Sequence, residues 1–145
     1  MSAFFHYPQA VFLRLHPLTA ISDVLKRLSF PLPKNFIISE GKTLLEDFKR
    51  AGIVLYSLTT VALEALKVGL PVIYMDINKP FYLDPLFESD HLKESVFSPG
   101  QLKGKIEQLL NLDADLYQHE LNRSHQYLNE YFSPITEEAM YQFTN

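Results

Sequence analysis

Between residues 51 and 75 the chain is almost unbrokenly apolar, yet Glu64 and Lys67 sit inside the run and Gly69 and Pro71 interrupt it. That stretch limits the possible folds more than any other. As a membrane span it would carry two ions at a cost of roughly 2.5–3.5 kcal/mol each, so it divides instead into strand, helix and strand. Residues 53–56 are short and bulky enough for a buried strand. Residues 58–68 have helical length, with Ser57 before them and Gly69 after them, where a left-handed residue commonly ends a helix. Residues 71–75 form the next strand.

The same alternation extends in both directions. Residues 11–15 read as a strand closed by His16 and Pro17. Residues 20–28 place Ile21, Val24, Leu25 and Leu28 at helical spacing, with Thr19 as the cap, and Pro31 and Pro33 end that element. A strand over 35–39 follows, then the capping-box pattern Thr43-x-x-Glu46 opening a short helix to about Arg50. Beyond the 71–75 strand lies an aromatic loop, 76–90, and Val96 and Phe97 suit a short edge strand. Ser98-Pro99-x-Gln101 combines a cap, a first-turn proline and a capping-box glutamine, predicting a helix to about Leu110. Asp113 opens a last helix to about Phe132. Short apolar strands alternating with helices point to α/β: a Rossmann-like doubly wound parallel sheet, three-layer α/β/α. The expectation is a single domain over 1–145 with a C-terminal helical segment from about 113.

Composition narrows the function classes. The 145 residues are 47% hydrophobic, enough for one core. Thirteen Lys and Arg against seventeen Asp and Glu give a net charge of −4 with no basic block, so no nucleic-acid partner is expected. Cysteine is absent, which removes disulfides, thiolate metal sites and cysteine nucleophiles. The N-terminus lacks the basic cluster and cleavage site of a signal peptide, and the expected location is cytoplasmic. With only five glycines there is no P-loop or Gly-x-Gly-x-x-Gly turn, and any phosphate needs another cradle. No cofactor is expected. Asp113-Ala-Asp115 suits a helix start better than a metal site, and His119 and His125 do not share a helix face.

In a parallel sheet, ligands bind beyond the carboxyl ends of the strands. The turn Ser57-Leu58-Thr59-Thr60 places hydroxyls where a strand gives way to a helix, a possible anion site made without glycine, or simply a helix cap. On a helical wheel Ser57, Thr60, Glu64 and Lys67 fall on one polar stripe. Glu64 is then either a surface partner of Lys67 or an acceptor for the two ribose hydroxyls of a nucleotide. Arg14 and His16, two apart at another strand end, share a face and offer two donors to a phosphate; the alternative is a surface ion pair and a loop-bonded histidine.

Together these residues resemble a known family. Residues 51–73, with the strand, the Ser57–Thr60 hydroxyl turn, Glu64-Ala65 and Gly69-x-Pro71-Val72-Ile73, look like the nucleotide-sugar-binding stretch of glycosyltransferases of the GT-B fold. Arg14-x-His16-Pro17 resembles the His-Pro element of bacterial capsule and surface-carbohydrate transferases of that fold. The resemblance implies that Ser57, Thr59 and Thr60 hold the phosphates of a nucleotide-sugar donor, Glu64 its ribose, and His16 with Arg14 the phosphate region or leaving group, without metal. It implies the donor-binding half of a two-domain transferase in surface or capsular polysaccharide synthesis. The acceptor domain, supplying the catalytic base, would lie in cis or on a separate subunit, and membrane association would arise only through such a partner. A sugar-nucleotide 2-epimerase and a non-catalytic interaction module of the same fold are the alternatives.

Overall fold

Four short β-branched and aromatic segments and one that contains a lysine form the strands of this protein. The computed structural model describes residues 9–16, 18–41, 43–77 and 83–132. Strands β1 (Val11–Leu13) and β2 (Phe36–Ile38) pair in parallel, Val11 opposite Phe36. A second parallel sheet has the order β3 (Val54–Tyr56), β4 (Val72–Met75), β5 (Lys93–Val96). Its register sets Tyr56 opposite Tyr74 and Tyr74 opposite Ser95. Helices α1 (Ile21–Arg27), α2 (Leu44–Phe48), α3 (Val61–Lys67), α4 (Leu102–Leu110) and α5 (Ala114–Tyr131) complete the described residues. The architecture is therefore α/β with parallel strands, the described ladders forming two small sheets.

Helices cover both faces of the larger sheet. Alternation along the strands sends Val54, Tyr56, Val72 and Tyr74 to one side, where they pack with Ala62, Leu63, Ala65 and Leu66 of α3 and Leu128 of α5. The two alanines let α3 lie close to the sheet. On the other side Ile53, Leu55, Ile73 and Met75 meet Leu102, Ile106 and Leu109, one stripe of α4. At the outer edge β5 pairs with β4 alone. Its Lys93 is buried, while Glu94 is bound by Lys105 (2.6 Å) and Gln108 (2.5 Å) of α4.

The helix ends follow their sequence signals in most places. Thr43 Oγ1 accepts the Glu46 N–H (3.3 Å). At Ser98 the full capping box forms, Gln101 Oε1 accepting from the Ser98 N–H (3.1 Å), with Pro99 in the first turn. Asp113 caps α5 through the Leu116 N–H (2.8 Å). Differences are small: α1 is capped by Ala20 without a side-chain bond rather than by Thr19, α2 stops at Phe48, and the edge strand is Lys93–Val96 rather than Val96 and Phe97. No described helix is long and apolar enough to cross a membrane.

The end of α3 fixes where α5 docks. Gly69, at φ 83°, donates to Leu66 O (3.0 Å) and Leu70 to Ala65 O (2.9 Å), the paired bonds that close a helix around a left-handed residue. The Gly69 carbonyl then accepts the Tyr117 hydroxyl of α5 at 2.7 Å. A Cβ on Gly69 would lie 2.9 Å from that same hydroxyl oxygen. Gly69→Ala therefore combines a disfavoured φ with a displaced Tyr117, and is expected to lower stability by about 1–3 kcal/mol. Urea unfolding checks it; an unchanged midpoint contradicts this account of the junction.

Candidate functional site

The turn leaving β3 is not the simple helix start that its sequence suggests. Leu58 takes a left-handed backbone at φ 52°, rare for a residue with a side chain. The helix consequently begins at Val61, with Thr60 in the cap position but making no side-chain cap bond. Instead Thr59 Oγ1 accepts the Val61 N–H at 3.3 Å. Ser57 thus lies outside the helical stripe and does not cap the helix. Thr60, Glu64 and Lys67 do form an exposed line along α3. Among the described residues Glu64 makes no ion pair with Lys67, so its carboxylate faces solvent uncommitted.

Beside this turn opens a cleft of about 560 Å³, within the range of about 300–1,000 Å³ typical of small-molecule sites. Leu58, Thr59 and Thr60 form one wall, and Leu83, Pro85 and Phe87 face them with Asp84 between. In sequence the aromatic loop 79–87 offers rings against which a base or sugar could pack, or a segment folded onto the domain's own surface; the structure sets its residues Leu83, Asp84, Pro85 and Phe87 beside the Ser/Thr turn.

What holds the second wall is a buried polar network. The Tyr56 hydroxyl donates to Asp84 Oδ1 (2.7 Å), and the Leu86 N–H donates to the same oxygen (2.9 Å). Lys93 Nζ lies 2.7 Å from Asp84 Oδ2 and donates to the Leu86 carbonyl (2.5 Å). The Leu83 N–H reaches the Tyr74 hydroxyl at 3.3 Å, and the two tyrosine rings pack at 5.4 Å. The side chains of Lys93 and Asp84 are 3% and 0% exposed. Residues from β3, β4 and β5 thereby fasten residues 83–86, with Leu86 buried in the core on the α3 side of the sheet and Lys93 reaching in from the amino end of β5. The one signal in the sequence is that Tyr56 ends β3 and Tyr74 stands next to last in β4, since a buried tyrosine hydroxyl needs a partner.

At the end of β1 the expected pair separates. β1 stops at Leu13, so Arg14 and His16 lie past the strand and the alternation that would aim them together does not reach them. Arg14 Nη1 binds Asp47 Oδ2 (2.5 Å) and the carbonyls of Gly41 and Thr43 (both 3.2 Å). His16 Nδ1 accepts the Leu18 N–H (3.2 Å). Among the described residues neither is bonded to residues 57–64. Asp47 also accepts the Ser39 hydroxyl, at 2.5 Å. Burial pushes its carboxyl pKa up, but the hydrogen bonds from Ser39 and Arg14 and the charges of Arg14 and Arg50 outweigh that and hold it below the usual aspartate value.

No group of three or more His, Asp or Glu among the described residues is arranged to hold a metal.

Two outcomes follow from these contacts. Asp84→Asn leaves the buried Lys93 ammonium without a counter-charge and is expected to lower stability by about 3–5 kcal/mol, with Lys93→Met in the same chain recovering part of the loss. Equal stability of wild type and Asp84→Asn in urea contradicts this. Asp47, with its depressed folded pKa, contributes stability that is complete above the unfolded value of about 3.9 and lost as pH falls through the folded one. The stability difference between wild type and Asp47→Asn should therefore shrink as the pH is lowered from 6 to about 3.

No family model matches the sequence, and no curated protein or solved structure matches it.

Proposed function

We propose that this chain binds a nucleotide-sugar donor, as the donor-holding half of a two-domain, GT-B-type glycosyltransferase in surface polysaccharide synthesis. The observation that carries this reading is the cleft at the carboxyl end of β3, with the Thr59 and Thr60 hydroxyls in its wall and the uncommitted Glu64 carboxylate one helical turn further along α3. Glu64, with two acceptor oxygens, suits the ribose diol, and the Thr60 hydroxyl faces the phosphates where they leave the cleft on the Glu64 side. His16 engages only Nδ1 and remains the phosphate ligand at β1, whereas Arg14 must release Asp47 before it can take part.

In the same reading the two small sheets are parts of one doubly wound, three-layer sheet of order β2–β1–β3–β4–β5. Two facts support it. Helices lie on both faces of β3–β4–β5. The Arg50 guanidinium lies 4.1 Å from the centre of the Phe12 ring, joining β1 to the segment that leads into β3. The change of direction at β1 and β3 then falls at the cleft end of the sheet, where such folds bind ligands. The acceptor domain and catalytic base come from elsewhere, in cis or on another subunit.

A second reading, a module that buries the cleft rim against a partner protein, draws on the exposed Leu58, Leu83 and Phe87. Calorimetric titration with UDP, CMP and GDP compounds separates the two. Binding that weakens about ten-fold in Glu64→Ala and in Thr60→Val supports the nucleotide reading; silence at millimolar ligand overturns it.

A further inference from the structure

Resting on that nucleotide reading, we propose that the cleft between the 58–60 turn and residues 83–87 holds the planar, uncharged base of the nucleotide, with Leu58 and Phe87 as its apolar walls. Three large apolar side chains around this one cleft face water, Leu58 at 58%, Leu83 at 59% and Phe87 at 61% exposure. Each offers surface that a heteroaromatic ring would cover, and Phe87 provides a face for stacking.

Charge argues for the base and against the diphosphate in this space. The cleft lining includes no cation among the described residues. Its one carboxylate, Asp84, is already satisfied by Lys93, Tyr56 and the Leu86 N–H. A phosphate placed here would lose water and find no counter-charge among the described lining residues, whereas an uncharged ring loses little. The polar edge is provided by two hydroxyls. Thr59 Oγ1 accepts the Val61 N–H and keeps its own hydrogen to donate, and the Thr60 side chain caps nothing. They mark the side on which ribose and phosphates leave the cleft towards Glu64.

The backbone supports the same assignment. Leu58 holds its side chain in this wall from a left-handed conformation that glycine would adopt without strain, and such outliers cluster at ligand clamps. The opposite wall is set in advance by the Asp84 network, so no reorganisation is needed for a ring to enter.

The test uses the full chain and two variants chosen to spare the fold. Leu58→Gly suits the φ at that position, and Phe87→Ala removes an exposed side chain; thermal unfolding confirms that each is folded. The probes are the nucleotide that binds in the titrations above, its phosphate-free nucleoside, and ribose 5-phosphate as the base-free control. Both variants are expected to weaken nucleotide and nucleoside about ten-fold, leaving the response to ribose 5-phosphate as in wild type. Intermolecular NOEs from base protons to the Leu58 and Leu83 methyls provide a second readout on the wild-type protein. Wild-type affinity for the nucleotide in both variants, or a bound nucleotide without those NOEs, overturns the base placement and leaves the nucleotide reading standing. Absence of binding by any nucleotide or nucleoside overturns both.

Discussion

A carboxylate and an ammonium shut away from water hold this structure's candidate site together. Asp84 comes from the loop, Lys93 from β5, and the hydroxyls of Tyr56 and Tyr74 from β3 and β4, so three strands converge on one short segment. Removing two charges from water is costly, and their attraction offsets that cost only when every remaining donor and acceptor is satisfied. Here the Leu86 N–H and carbonyl add a bond to each member of the ion pair. The consequence is cooperative: the polar anchoring of the far wall of the cleft depends on the network being whole. Leu86 and Leu92, both buried in the main core, give the segment apolar footing on either side of the ion pair.

Much of the fold was legible because its signals are local. The Gly69 stop, the Ser98 capping box and the Asp113 cap each depend on residues within one turn of one another, and α4 shows its buried stripe at regular spacing. What escaped depends on distant partners or on conformations without a sequence mark. Lys93 hides β5, since a lysine in an otherwise modest segment reads as surface until its counter-ion from the preceding loop is known. Leu58 gives no sign in the sequence of its left-handed backbone, so the residue pattern sets the helix start ahead of Val61 and includes Ser57 in a stripe that begins only at Thr60. Thr59 and Thr60 are legible from their place after a strand, and Glu64 from the polar stripe of its helix. Leu83, Pro85 and Phe87 face them only through tertiary contact.

The end of β1 shows how a short motif can be claimed by structure before any ligand arrives. A single guanidinium nitrogen of Arg14 meets two carbonyls and the Asp47 carboxylate, tying β1 to the loop that leads into α2. The packing there is close: a Cβ at Gly41 would lie 2.8 Å from Asp47 Oδ1. A phosphate competing for Arg14 would have to displace a partly buried, charge-assisted bond from Asp47, which also accepts from Ser39. His16 carries no such obligation, so the two residues of one tripeptide differ sharply in what they are free to do.

Consider finally the outer strand β5, whose Lys93 turns inward and whose Glu94 is tied down by α4. An unpaired strand edge is a template on which foreign strands can add, and inward charges with tethered acidic neighbours spoil that template. The larger sheet is therefore closed to growth on that side. Its other margin is β3, which among the described strands is hydrogen-bonded to β4 alone. Of the sheet's two borders, then, the one at β5 is guarded against self-association.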